Sequence, residues 1–299
     1  MIKILLIFVD GLGLGSDDPL RNPCVQDHLN IFDCYENGDG IHSAGRGGFL
    51  LPTDATLGVD GLPQSGTGQS TLLTGINCSK LLGRHLQGYP NSRLRDILRQ
   101  YSLLKQVKEM GCRPAFINAY RPLFFALNKK IQWCLSTTTV ATLSADIPFF
   151  QIDDIRKKRS IYHDFTNESL IKRGFNVDLF SPEEAAHILV QASKQYDFVL
   201  YEYFMTDRAG HSQEMERCQK EIKKLDRFMT SLLSELDLNA NLVILTSDHG
   251  NIEDLSVKTH TRNKVMTLLW GRGSESVVSH IRTLEDITPA VLRLFAVYI

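Results

Sequence analysis

Leu242-Val243-Ile244-Leu245-Thr246 runs straight into Ser247-Asp248-His249-Gly250-Asn251. A short apolar, β-branched run of this kind reads as a buried strand, and the polar residues after it fall at the strand's carboxyl end. Ligands gather at that end in parallel α/β sheets, so an Asp-His pair there is a candidate for chemistry. The same pattern recurs twice. Residues 4–9 run into Asp10-Gly11, and residues 198–204 run into Met205-Thr206-Asp207-Arg208-Ala209-Gly210-His211. Two further strand candidates are 114–118 and 265–270. Helix-like patterns separate most of these runs, which predicts an α/β fold with a doubly wound, mainly parallel sheet, helices on both faces and no large cap domain.

Three helices support that expectation. Residues 181–194 begin with Ser181 at the N-cap, Pro182 at the first helical position and Glu184 closing a capping box. Residues 212–236 space Met215, Cys218, Ile222, Leu225, Met229, Leu232 and Leu236 by three or four, which lays one apolar stripe against a sheet. Glu216, Lys220, Lys223 and Arg227 fall on the solvated face. A third helix is expected from about residue 94 to 110, ending at Gly111 as a C-cap glycine would. Residues 24–60, rich in Gly and Asp, read as loops and a small hairpin. Residues 121–180 lack a long clean period and are expected to form a lid over a site, within a single domain spanning 1–299.

Charge and cysteine usage exclude several functions. With 33 basic and 34 acidic side chains, no global field draws the protein onto nucleic acid or an anionic membrane, so any bound anion needs a local site. The six cysteines (Cys24, Cys34, Cys78, Cys112, Cys134, Cys218) form no CxxC pair, which argues for reduced, mostly buried thiols over a zinc knuckle or redox motif. The apolar run 4–9 is too short for a signal-peptide core, and no stretch approaches the roughly 18 apolar residues of a membrane span. A cytoplasmic protein without a membrane or nucleic-acid partner is expected; oligomeric state is left open.

Asp and His supply the oxygen and nitrogen donors that bind Zn2+ or Mn2+. The strand ends would gather Asp10, Asp207, His211, Asp248 and His249, and Thr259-His260-Thr261-Arg262-Asn263 adds His260 just before the next strand. Each element alone is ordinary: Asp-Gly is usually a turn, DxxxH arises by chance, and a lone histidine is usually solvated or satisfied. Their joint occurrence at successive strand ends is what points to metal. The nucleophile candidate is Ser65, in Gln64-Ser65-Gly66-Thr67-Gly68-Gln69-Ser70-Thr71-Leu72-Leu73-Thr74-Gly75, a Gly-rich turn opening a helix whose free N–H groups suit an anion. No Gly-Lys-Ser/Thr follows, the dinucleotide fingerprint is missing, and GxSxG is absent, so nucleotide-loop and serine-hydrolase readings rank low.

These motifs, with the closing Glu285-Asp286-Ile287-Thr288-Pro289-Ala290-Val291-Leu292, resemble the alkaline phosphatase superfamily. The similar branch contains cofactor-independent phosphoglycerate mutase, phosphopentomutase and the nucleotide pyrophosphatase/phosphodiesterases. The resemblance implies two divalent metal ions, Mn2+ or Zn2+, one held by Asp10, Ser65, Asp248 and His249 and the other by Asp207, His211 and His260. It implies Ser65 as nucleophile towards a small-molecule phosphate ester. Gly68 and Gln69 depart from the pattern, standing where relatives often carry Asn or His near the phosphoryl group.

The mutases of this superfamily carry a large second domain, whereas residues 121–180 are short for an independent one. Hydrolysis of a monoester or diester through a phosphoserine is therefore the expected reaction. A phosphomutase, with its acceptor pocket built from 121–180 or a partner subunit, is the alternative; a catalytically weak metal-binding relative is the other. A sulfatase is disfavoured, because Pro and Arg are missing two and four residues after Ser65.

Overall fold

The computed structural model describes residues 2–26, 28–32 and 40–298; Cys34 lies outside them. The strands are β1 (Lys3–Val9), β2 (His42–Ala44), β3 (Gly48–Thr53), β4 (Pro114–Phe116), β5 (Ala119–Tyr120), β6 (Phe150–Gln151), β7 (Phe198–Tyr203), β8 (Asn241–Thr246) and β9 (Val265–Gly271). Seven of them build one sheet in the order β2-β3-β9-β8-β1-β7-β4, and β5 pairs with β6. Strands β8, β1, β7 and β4 run parallel. Along β1, Leu5, Ile7 and Val9 enter one core while Ile4, Leu6 and Phe8 enter the other. Burial on both faces is why these runs are continuously apolar instead of alternating.

The helices that matter for the site are α1 (Ser65–Leu72), α2 (Ser92–Tyr101), α3 (Leu103–Glu109), α4 (Thr137–Ser144), α5 (Pro182–Gln195), α6 (Met205–Gly210), α7 (Met215–Glu235) and α8 (Ile287–Tyr298). Helices α5 and α7 cover one face through Ala185, Leu189, Ile222 and Leu225. Helices α2, α3 and α8 cover the other through Leu98, Leu104, Val291 and Leu294. Helix α5 starts as its sequence demands: the Ser181 hydroxyl accepts from the Glu184 N–H at 3.1 Å, and the Glu184 carboxylate accepts from the Ser181 N–H at 2.9 Å. Among the described residues, no helix is long and apolar enough to cross a membrane.

One expectation is corrected. The helix read from about 94 to 110 is broken at Ser102, whose ψ of 135° is extended. The Leu103 N–H donates to the carbonyl of Leu73 at 2.7 Å, and the Ser102 hydroxyl caps the second helix by accepting from the Lys105 N–H. Gly111 does end α3, at φ +81°. The expected parallel sheet is present at the centre, in β8-β1-β7-β4, and carries an antiparallel flank. Strand β9 is antiparallel to β8, β3 to β9 and β2 to β3. The hairpin expected within 24–60 is β2–β3, at the sheet edge. The chain from β8 to β9 contains no crossover helix, so β9 can only return antiparallel.

Candidate metal centre

In the register of the sheet, Phe8 lies opposite both Glu202 and Thr246. Strands β1, β7 and β8 therefore end level, and the residues after them share one edge. The antiparallel direction of β9 adds to this: residues before it lie at the same edge as residues after its neighbour β8. His260 reaches the site for that reason.

Each strand end has a local device that fixes its side chain. Gly11 turns the chain after β1 at φ +72°, where a Cβ would stand 2.9 Å from the Cβ of Asp207. The Thr206 hydroxyl donates to the Asp10 carbonyl at 2.6 Å, tying α6 to the first strand end. After β8, the Ser247 hydroxyl accepts from the Leu12 N–H at 2.9 Å and donates to the His249 carbonyl at 3.0 Å.

The seven expected site residues fall into two adjoining groups. In the first, His249 Nε2 lies 2.9 Å from Ser65 Oγ, 3.3 Å from an Asp10 oxygen and 3.5 Å from an Asp248 oxygen. In the second, Asp207 Oδ1 lies 3.4 Å from His211 Nε2 and 3.6 Å from His260 Nε2. Asp207 and His211 face the same way because they are four residues apart on one helical turn. In each Asp/His set the potential ligand atoms lie within 4.8 Å of one another. The rings of His249 and His260 stack with centroids 3.7 Å apart and join the groups.

The donor set fits cations. His260 Nδ1 lies 2.9 Å from the carbonyl of Pro63; a carbonyl only accepts, so the proton is on Nδ1 and the Nε2 lone pair points into the site. Asp10 Oδ1 is buried without a hydrogen-bond partner. Among the described residues, the basic side chains paired with Asp10, Asp207 and Asp248 are histidines, with no lysine or arginine. Burial first, then the charges of Asp248 and Asp207, holds the Asp10 carboxyl well above the usual range. Burial, with Asp207 beside it, pushes Asp248 up to about 7. Burial, then His260, pulls His249 down to about 3, so it stays a neutral lone-pair donor. Such crowding of buried carboxylates around neutral imidazoles is offset when divalent cations sit between them.

Several residues at this site were not assigned a part by the sequence. Gln69, noted only as a departure, donates to Asp10 at 3.2 Å and to Asp248 at 3.1 Å, and so orients two carboxylates at once. Asn251 donates to Asp207 Oδ1 at 2.6 Å. Glu253 accepts from the N–H groups of Gly13 at 3.0 Å and Asn251 at 2.7 Å, binding the loops after β1 and β8 together. Gly68 has a packing reason: a Cβ there would meet the Asp248 carbonyl oxygen at 2.7 Å. Gly68→Ala is expected to push that loop away and weaken cation affinity about tenfold, measured by competition with a chelating dye.

Glu202 is a carboxylate inside a buried strand, a signal the sequence did contain. Its Oε2 accepts from the Thr138 hydroxyl on α4 at 2.7 Å, and burial pushes the group up to about 7. In metal-stripped protein, the folded state keeps this proton between the unfolded carboxylate range and about pH 7, while the unfolded chain has lost it. The contribution to stability is therefore complete below the unfolded pKa and is lost as pH rises through about 7. Relative to wild type, chelated Glu202→Gln is expected to gain roughly 3 kcal/mol between pH 4.5 and 8, read from urea unfolding.

Above these groups opens a cavity of about 610 Å3 that reaches from Asp10, Ser65 and Asp207 to Arg121, Phe124, Leu135 and Tyr162. Residues from the irregular stretch 121–180 thus form one wall of it.

A seven-stranded sheet with a parallel centre, carrying two Asp/His groups and a helix-initiating serine at one edge, has an alkaline phosphatase-like α/β fold. Residues 172–298, less than half of the chain, match the family described as the Metalloenzyme superfamily. Over 125 residues the chain is 30% identical to a 2,3-bisphosphoglycerate-independent phosphoglycerate mutase of Wolinella succinogenes. That match covers 39% of this chain and a quarter, 25%, of the relative's length. A protein of solved structure from Pyrococcus horikoshii superposes with a TM-score of 0.60 at 16% identity, covering 99% of this chain and 97% of that one. An alkaline phosphatase from the Antarctic bacterium TAB5 superposes with a TM-score of 0.55 at 12% identity, covering 98% of each chain.

Proposed function

We propose that the chain is a two-metal phosphohydrolase acting on small phosphate esters through a phosphoserine on Ser65. The observation that carries this reading is the convergence of Ser65 Oγ, His249 Nε2 and the Asp10 and Asp248 carboxylates on one point beside the Asp207-His211-His260 group. Asp10, Ser65, Asp248 and His249 would hold one cation, and Asp207, His211 and His260 the other. When bound, two divalent cations neutralise the carboxylates, acidify the serine hydroxyl and stabilise phosphoryl oxygens.

The chain's own residues supply the rest. Ser65 opens α1, and Gln64 before it makes no side-chain cap; the Thr67 N–H donates to the Leu86 carbonyl at 3.3 Å, which leaves the N–H groups of Ser65 and Gly66 for phosphoryl oxygens. Ser65 Oγ attacks phosphorus in line; the new P–O bond forms as the bond to the organic oxygen breaks, and the departing alkoxide takes up a proton. Water then attacks the phosphoserine from the vacated side and releases phosphate, restoring the serine hydroxyl. Gln69 and Asn251 keep the carboxylates in place throughout.

A phosphomutase is the second reading, favoured by the activity for which the Wolinella relative is named. The two differ in the phosphoryl acceptor. Metal-dependent release of phosphate or p-nitrophenol from aryl mono- and diesters supports the hydrolase and ranks its ester class. Isomerisation of a phosphorylated acid or sugar without free phosphate would replace it with the mutase.

A further inference from the structure

The cavity above Ser65 has a composition that neither the metal groups nor the serine explains, and its occupant is inferred on the phosphoester reading of that site. Besides the carboxylates its lining is strongly aromatic, with Tyr89, Tyr120, Phe124 and Phe204. At its mouth Tyr89 is 62% and Leu123 66% exposed, so apolar surface continues to the rim. About 610 Å3 is room for an organic group of drug-like size; a three-carbon acid on a phosphoryl group fills only part of it.

Three arginines, Arg121, Arg173 and Arg208, line the same cavity. Their side chains make no ion pair or hydrogen bond with any described residue, although unpaired arginines are the usual partners of a planar anion. All three bear on His163, whose ring stacks on Phe204 at 4.3 Å and whose Nε2 is buried without a hydrogen-bond partner. Aromatic side chains, three uncommitted arginines and an unpartnered imidazole nitrogen thus line one space with the carboxylates.

We propose that the substrate's organic group is flat and largely apolar and carries a second negative group, a carboxylate or a phosphate, held by Arg121, Arg173 and Arg208 with His163 beside them. The aromatic side chains take the flat body by stacking. The arginines take the distal anion, and the cations the reacting phosphoryl group, so the substrate is gripped at both ends.

The test is calorimetric binding of non-hydrolysable probes to Mn2+-loaded protein. 4-Carboxybenzylphosphonate or p-xylylenediphosphonate is expected to bind about tenfold or more tightly than benzylphosphonate, and the tighter of the two identifies the second anion. 3-Phosphonopropionate, with the anion but no ring, is expected to bind about tenfold more weakly than 4-carboxybenzylphosphonate. In Arg121→Gln/Arg173→Gln the advantage of the second anion is expected to shrink to about twofold; Arg173→Gln alone, at an exposed side chain, serves if the double variant does not fold. Equal affinity for benzylphosphonate and both dianions, or an advantage that survives the arginine substitutions, overturns the proposal. Phosphonate binding that is unchanged after chelation, with the arginine dependence intact, instead removes the metal reading and leaves this subsite standing.

Discussion

Ser65→Ala is expected to lower turnover of any phosphate ester the protein accepts by about 10,000-fold or more while the fold and most of the bound metal remain. The size follows from the role: without Oγ no phosphoserine forms, and what is left is direct attack by water on an ester held near cations. Retention of metal follows from the geometry. Each Asp/His group keeps three protein ligand atoms within 4.8 Å of one another without the serine. The alanine Cβ occupies space already filled by the serine Cβ, so α1 is not disturbed. Phosphate release in single-turnover and steady-state assays, with metal content by mass spectrometry, measures both halves. Undiminished activity in Ser65→Ala would remove the serine from the chemistry; loss of activity together with loss of all metal would assign it a ligand role alone.

Much of this site was legible because its residues occupy the ends of buried strands. The runs before Asp10, Asp207 and Asp248 are buried and mostly apolar, and polar residues at or just after the end of such a run are visible without any knowledge of topology. Capping at Ser181 was legible for a similar reason, since both partners lie within three residues. What escaped depends on contacts between distant segments. The break at Ser102 is set by the Leu73 carbonyl, and no local pattern records that Leu103 will donate to it.

His260 was identified by residue type, but its position could not follow from a parallel sheet: a residue before a parallel strand sits at the wrong edge. The turn-back of β9 repairs this. Gln69 and Gly68 read as departures from a familiar turn; packed against Asp248, one orients a carboxylate and the other makes room for its backbone. The aromatic and basic residues of 121–180 gave no long period because the segment is cut into short helices and a two-residue strand, and several of its side chains line the cavity.

Removal of metal is expected to cost the protein far more stability than any single substitution around the site. Among the described residues, Asp10, Asp207 and Asp248 meet at one edge with histidines as their only basic partners, and Asp10 and Asp248 are each held above the ordinary carboxylate range by burial first and then by neighbouring carboxylates. A folded chain in that state carries a repulsion that the unfolded chain does not. Cations that bind only the folded state reverse it by mass action, about 2.7 kcal/mol for each site at a hundredfold excess over Kd, or roughly 5 kcal/mol for two. For a chain of this size that corresponds to a Tm higher by on the order of 10 °C or more. Differential scanning calorimetry of chelated protein with Mn2+ or Zn2+ restored measures it, and Asp207→Asn is expected to forfeit about half of the gain. A Tm that does not respond to either ion would show that these carboxylates are held by protons instead of metal, and the two-cation mechanism would fall whatever esters the protein turned over.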